Sequence, residues 1–486
     1  MDSKFSQEKH KKYLDFYETL KKNKEHDTEY WGLGIENESY LMFEQPDLVL
    51  KEFAQKNHRR ERYSVDYWLN YKPEPLKAAL DLLPPSLRLP VYVNSYMFRK
   101  ADLLGEHTST YEKNPKPNPR FSDETIDQYL RRVSPTFVKL FETTMIYDGD
   151  TFEFATFNFY KTTVHAVVDE LKGIKQTFLA EVNAKLVSKF TMFKQRLIYP
   201  PFNYGFAKFL TNPKNLAICN NGTYHMNVTL PTPIKPNGDI VDEAEFKRVH
   251  ANAIRAIQWM EPLLVGLYGT PDILHVLNPE YAGGSQRLGL SRYIGLGTYD
   301  TTTMEKGKLL DTYDHAKSNS YFKTLHFNSP YIPPKTTGFD VNYNKFTKHG
   351  IEIRIFDSFP EAYLEHVINL ILLVCQYSTE KEIPNPRDCA LWNKLCLAII
   401  QKGSAAPMLP DIQMKFYEVF QIPVYSCWPY YFNETALNLT RTLARSLYNR
   451  CKNKSICLKM SPNMKPIHLV DYNSIVKKEF AIRLKN

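Results

Sequence analysis

The chain has seven cysteines among 486 residues and no Cys-x-x-Cys pair. Their irregular spacing supports neither a disulfide framework nor a zinc knuckle, and points to a reducing, cytoplasmic setting. No run approaches eighteen apolar residues, so no membrane span is expected. The first residues are charged throughout and lack the apolar stretch of an export signal. Lysine and arginine outnumber aspartate and glutamate by only 62 to 53, without a dense basic block, so no nucleic-acid partner is expected. A modest positive balance suits a protein that handles small anions. No GxxxxGK[ST] loop is present, and no GxGxxG follows a strand, which removes the two common nucleotide-binding fingerprints. No internal repeat is evident.

What is present is a set of short, alternating strands. From Ile351 to Phe356 the isoleucines 351, 353 and 355 fall on one face, and Glu352, Arg354 and Phe356 on the other. Glu352 and Arg354 then stand about 6.5–7 Å apart along the strand. A strand over 31–43 places Glu36 and Glu38 on one face and Ile35 on the other, with Gly32 and Gly34 leaving room beside it. A third, 151–157, sets Glu153 opposite Phe152 and Phe154, with Asp148 and Asp150 leading in. A fourth, 223–230, has His225, Asn227 and Thr229 on one face and Tyr224, Met226, Val228 and Leu230 on the other. Each alone is explained by a half-exposed strand with solvated charges.

Helical periodicity is expected over 5–24, 163–189, 243–267 and 361–375, and 388–450 reads as mainly helical. The proline-rich stretch 44–140 reads as an insertion with short helices near 47–58, 75–83 and 123–132, strand material near 90–98 and an exposed loop at 113–120. Residues 282–299, rich in Gly and Ser and carrying Arg287 and Arg292, suit a loop that holds phosphate or carboxylate.

Taken together, the strands repeat one arrangement and are mostly followed by helices. The expected fold is α+β: a curved, mainly antiparallel sheet with helices on one side and an acidic concave face on the other. Glu36, Glu38, Glu153, His225 and Glu352 would line that face. Carboxylates with one imidazole suit Mg²⁺ or Mn²⁺. With arginines added, these are the parts of phosphoryl-transfer chemistry.

Five stretches in order carry a family resemblance. Gly34-Ile-Glu-Asn-Glu38, Glu153-Phe-Ala-Thr156, Tyr224-His-Met-Asn-Val-Thr-Leu-Pro231, Ser285-Gln-Arg-Leu-Gly-Leu-Ser291 and Ile351-Glu-Ile-Arg-Ile-Phe-Asp357 resemble the motifs of glutamate–cysteine ligases, which share their sheet with glutamine synthetase. The resemblance implies a glutamine synthetase-like catalytic domain, placed over 1–380 and interrupted by the insertion at about 44–140; residues 381–486 match no motif of the family and are expected to form a mainly helical region packed on it. It implies that Glu36, Glu38, Glu153, His225 and Glu352 hold two or three Mg²⁺ ions around ATP. Arg287 and Arg354 would contact phosphate or the substrate carboxylate, and Ser285 and Asn227 would complete the nucleotide site. The implied reaction joins a glutamate-like carboxylate to an amine through an acyl phosphate. Either Asp148 or Asp150 would stand for the family's aspartate before the second acidic strand. A guanidino kinase-like phosphotransferase and a catalytically inactive binding relative are the alternatives. The two substrates, the ion count and the oligomeric state are not legible at this level.

Overall fold

The computed structural model describes residues 31–45, 91–105, 121–157, 163–189, 195–200, 206–209, 212–218, 223–233, 235, 239–270, 285, 297–309, 340–344, 350–403, 406–423 and 432–451. The expected helices at 5–24, 47–58 and 75–83, the loop at 113–120, Arg287 and Arg292 lie outside them.

The described strands are β1 (Gly32–Ser39), β2 (Leu41–Phe43), β3 (Val91–Val93), β4 (Met145–Asp148), β5 (Thr151–Ala155), β6 (Leu197–Ile198), β7 (Phe206–Phe209), β8 (Asn212–Ile218), β9 (Tyr224–Thr229), β10 (Gly297–Asp300), β11 (Glu305–Leu309), β12 (Val341–Tyr343) and β13 (Ile351–Ile353). The helices are α1 (Ser95–Lys100), α2 (Ile126–Val133), α3 (Pro135–Thr143), α4 (Val164–Leu186), α5 (Glu243–Tyr268), α6 (Leu364–Glu380), α7 (Ala390–Lys402), α8 (Pro410–Val419) and α9 (Phe432–Cys451).

Six strands form an open antiparallel sheet in the order β12-β13-β9-β1-β5-β4. A second sheet, β6-β2-β3-β7-β8, and the hairpin β10-β11 complete the strands. The stretch expected as one strand over 31–43 is two. It breaks at Tyr40, and β2 leaves for the second sheet. The strand expected near 90–98 ends at Val93. Asn94 caps a helix there, its Oδ1 accepting the Met97 N–H at 3.1 Å, so the local cap overrides an extended reading. The late strand ends at Ile353, and the following helix enters through a 3₁₀ turn before running to Glu380.

Alternation explains the sheet's two faces. Leu33, Ile35, Phe152, Phe154, Met226, Val228, Val341, Ile351 and Ile353 point to one side, and all are buried. Helix α4 covers β1 and β5 on that side, α6 packs on α4 and α5, and α7 and α9 pack on α5. Phe178 of α4 is the pivot, with its ring between 5.1 and 6.4 Å from those of Phe98, Phe137, Phe152 and Phe154. Among the described residues, one hydrophobic cluster runs from Trp31 to Leu447, so the helices after residue 380 share it. No helix of the described residues is long and apolar enough to cross a membrane.

One buried polar group among the helices, His250, is held at both ring nitrogens. His250 of α5 accepts the Leu230 N–H at Nε2 (3.0 Å), and its Nδ1 lies 2.7 Å from the Phe246 carbonyl oxygen, which makes Nδ1 the protonated nitrogen. Gly350, at φ +72°, passes so close that a Cβ there would stand 2.7 Å from His250 Nε2. Burial holds this imidazole's pKa down at about 4, opposed by its backbone hydrogen bond. A depressed pKa means that the neutral ring supplies stability above the ordinary value of 6.5, and that this is lost as pH falls through 4. The loss is on the order of 3 kcal/mol. Melting temperature measured against pH is expected to fall between 6.5 and 4, and His250→Gln is expected to flatten that segment. Parallel wild-type and variant curves would refute the assignment.

Candidate functional site

The opposite face of the six-stranded sheet is polar, and strand register determines who meets whom. Glu36 pairs with His225 across β1 and β9, and Glu38 with Glu153 across β1 and β5. Gly34, Asn227, Glu352 and Asn342 form one rung across four strands. Residues directly opposite in an antiparallel pair project to the same side. Local alternation and long-range register therefore act together, and segments as far apart in the chain as β1 and β13 deliver their acids to one place.

His225 stands at the centre. Its Nδ1 is 3.6 Å from a carboxylate oxygen of Glu36, 3.8 Å from one of Glu38 and 3.9 Å from one of Glu352. The four are nearly closed to solvent, at 1 % exposure for His225, 5 % for Glu36, 4 % for Glu38 and 2 % for Glu352. Burying several carboxylates is costly unless cations or hydrogen bonds compensate them. Part of the compensation is visible. Asn227 donates to Glu36 at 3.1 Å and Thr223 to Glu38 at 3.3 Å. Glu352 receives Asn342 at 2.6 Å on one oxygen and Arg354 at 2.7 Å on the other.

Among the described residues, two groups have ligand atoms within 4.8 Å of one another: Glu36, His225 and Glu352, and Glu38, Asp148 and Glu153. Ligands on opposite sides of a Mg²⁺ ion lie about 4.2 Å apart, so each group needs only a small closure to hold one. One buried group mixes carboxylates with an imidazole, and the other is all carboxylate and opens to solvent at Asp148. Both donor sets suit hard divalent cations. Glu38 belongs to the second group yet faces His225 of the first, so the two adjoin.

The structure separates the two aspartates between which local sequence does not choose. Asp148 joins Glu38 and Glu153, whereas Asp150 accepts the Tyr40 hydroxyl at 3.0 Å. Asn227 stands beside Glu36, and Arg354 pairs with Glu352. Ser285 is buried, and its neighbour Arg287 lies outside the described residues. Asp357 turns away from this face and accepts the Thr270 N–H at 2.9 Å, which ties the strand's exit to the end of α5.

Sequence reasoning misses Asn342, Thr223 and Asp340. Asn342 carries a weak signal, as the middle residue of an alternating Val-Asn-Tyr triplet. Asp340 carries none. Its backbone oxygen accepts the Arg354 N–H at 2.9 Å, and its carboxylate receives Thr298 Oγ1 and the Tyr299 N–H, each at 2.8 Å. Glu261 of α5 bonds to the same carboxylate, and burial with this acidic neighbour pushes the Glu261 carboxyl well above the ordinary range.

Comparison with protein-family models finds no match. Among solved structures, the crystal structure of the complex between prokaryotic ubiquitin-like protein Pup and its ligase PafA aligns over 93% of this chain and 76% of that chain, at 12% identity and a TM-score of 0.33. A score that low carries no argument about activity. Among curated proteins, "Uncharacterized protein R704" of Acanthamoeba polyphaga mimivirus is 36% identical over 454 residues, spanning 91% of this chain and 79% of the relative. At that identity and coverage, the chain belongs to the family of the mimivirus protein R704.

Proposed function

We propose that the protein is an ATP- and divalent-cation-dependent carboxylate–amine ligase, and that its finer specificity is glutamate–cysteine ligase-like, transferring a glutamate-like acyl group to an amine. The observation that carries this is the pair of adjoining ligand groups on one sheet face, Glu36/His225/Glu352 and Glu38/Asp148/Glu153. Bound divalent ions would neutralise the nucleotide phosphates and the charge that develops as the terminal phosphoryl group moves.

The chain's own residues do the rest. Asn227, Thr223 and Asn342 aim the carboxylates by hydrogen bonds. Arg354 balances Glu352 and would supply positive charge beside the phosphates, a role the family resemblance extends to Arg287 and Ser285. In the proposed reaction a substrate carboxylate oxygen attacks the γ-phosphorus and ADP leaves. The amine nitrogen then attacks the acyl carbon, phosphate leaves and the nitrogen gives up a proton. No enzyme nucleophile is needed. Buried Cys375 and Cys396 fit that, since burial pushes both thiols up and away from the reactive thiolate.

The test uses the full chain with ATP, Mg²⁺, a panel of small acids led by glutamate and a panel of amines led by cysteine. Release of ADP that requires both acid and amine is expected, with one ¹⁸O passing from labelled carboxylate to inorganic phosphate. A phosphorylated guanidinium product would replace the ligase reading with a phosphotransferase. Absence of nucleotide binding and of turnover across both panels would leave an inactive binding relative.

A further inference from the structure

Among the described residues, the turn that carries Asp148 belongs to the edge strand of the sheet. Asp148 closes the β4–β5 hairpin opposite Thr151, and only Gly149 and Asp150 lie between them. Asp148 and Gly149 are exposed, and Gly149 sits at φ +56°. An exposed two-residue turn at a sheet edge is an element prone to local opening. Asp148 nonetheless meets Glu38 and Glu153.

A separate segment supplies the restraint. At the first turn of α1, the Ser95 N–H bonds to the Asp150 carbonyl at 2.8 Å and Ser95 Oγ to the Gly149 carbonyl at 3.2 Å. One turn later Arg99 also donates to the Gly149 carbonyl, and to Ser95 Oγ at 3.2 Å. Its guanidinium lies 4.5 Å from the Tyr96 ring centre and 5.3 Å from that of Tyr147, the residue before Asp148. From the other side the Tyr40 hydroxyl holds Asp150. Both turn residues are thus pinned by their backbone oxygens, and the pins come from outside the hairpin.

We infer that Ser95 and Arg99 are positioning residues that clamp the β4–β5 turn, and that the all-carboxylate group Glu38/Asp148/Glu153 binds its cation tightly only while this clamp is closed. This rests on the proposed reading of the polar face as a two-cation centre. The clamp acts on one group alone, because Glu36, His225 and Glu352 are placed by β1, β9 and β13, which α1 does not restrain through these bonds. Affinity at one cation site is thereby set by a segment that contributes no ligand to it.

The probe is Mn²⁺ alone, followed on the full chain by calorimetry and by electron paramagnetic resonance, which reports whether two ions are spin-coupled. Wild type is expected to bind two ions with a coupled spectrum. Arg99→Ala and Ser95→Ala are expected to weaken one of them by about 10–100-fold and to erase the coupling, leaving the other ion in place. Asp148→Asn should reproduce that loss, and Arg99→Lys should recover part of the affinity. If Arg99→Ala does not fold, Ser95→Ala and Arg99→Lys decide. Should both clamp variants keep two coupled ions while Asp148→Asn loses one, the clamp is refuted and the two-cation centre survives. Wild type that binds no Mn²⁺, or Asp148→Asn that binds as wild type, removes the centre itself and the clamp with it.

Discussion

Glu36→Gln and Glu352→Gln should each lower ATP-dependent turnover by roughly 10³-fold, since a divalent ion contributes several kcal/mol to phosphoryl transfer and each factor of ten is about 1.4 kcal/mol. Their effects on stability should nevertheless have opposite signs. Glu36 faces His225 and is supported by neutral Asn227, in a pocket with Glu38 and Glu352 close by. Removing its charge relieves like-charge crowding, so Glu36→Gln in the absence of divalent ions should gain about 1–2 kcal/mol, as functional sites commonly trade stability for activity. Glu352 balances buried Arg354 at 2.7 Å, and its neutral replacement removes the charge from that contact. Glu352→Gln should therefore melt lower than wild type. Urea unfolding in chelator, beside steady-state ADP release with Mg²⁺, reads both quantities. Near-normal turnover in the two variants would exclude them as cation ligands. A Glu36→Gln protein less stable than wild type would show that the polar face is not electrostatically strained.

Arg354→Ala is the substitution with the largest expected cost to the fold. Both partners of its pair are buried, and breaking a buried pair by deleting one member typically costs about 3–5 kcal/mol, because the remaining charge is stranded. The Arg354 backbone bond to Asp340 survives the substitution, so the loss belongs to the side chain. The double variant Arg354→Ala/Glu352→Gln should be less destabilised than Arg354→Ala alone, since the buried charge that loses its guanidinium partner is then neutral. Equilibrium denaturation of the two single variants and the double variant gives the coupling directly. Additive losses would mean that the 2.7 Å contact contributes nothing.

Much of the polar face is legible in the amino-acid sequence. The period of two separates Glu36 and Glu38 from Ile35, Glu153 from its flanking phenylalanines, and His225 and Asn227 from Met226 and Val228. Each of those side assignments is a local property of a few residues. The starts of α4 and α5 fall within a residue of the expected 163 and 243, and in the structure Thr163 and Asp242 cap them by bonding to backbone N–H groups of their own first turns. Where neighbours compete, local reading fails. Asn94 makes a helix of a stretch rich in strand-forming residues, and Tyr40 divides one alternating run between two sheets.

Which side chains could share a face follows from the order of residues, because alternation is built into the extended backbone. Tertiary structure alone decided which of them meet. Glu36 faces His225 rather than another residue of β9 because of pairing between segments 189 positions apart, and a slip of one residue would reverse a whole strand. Likewise only the folded chain shows Asp148 lying with Glu38 and Glu153 while Asp150 meets Tyr40. A cation centre is a matter of distances between remote segments, and no short stretch contains those distances.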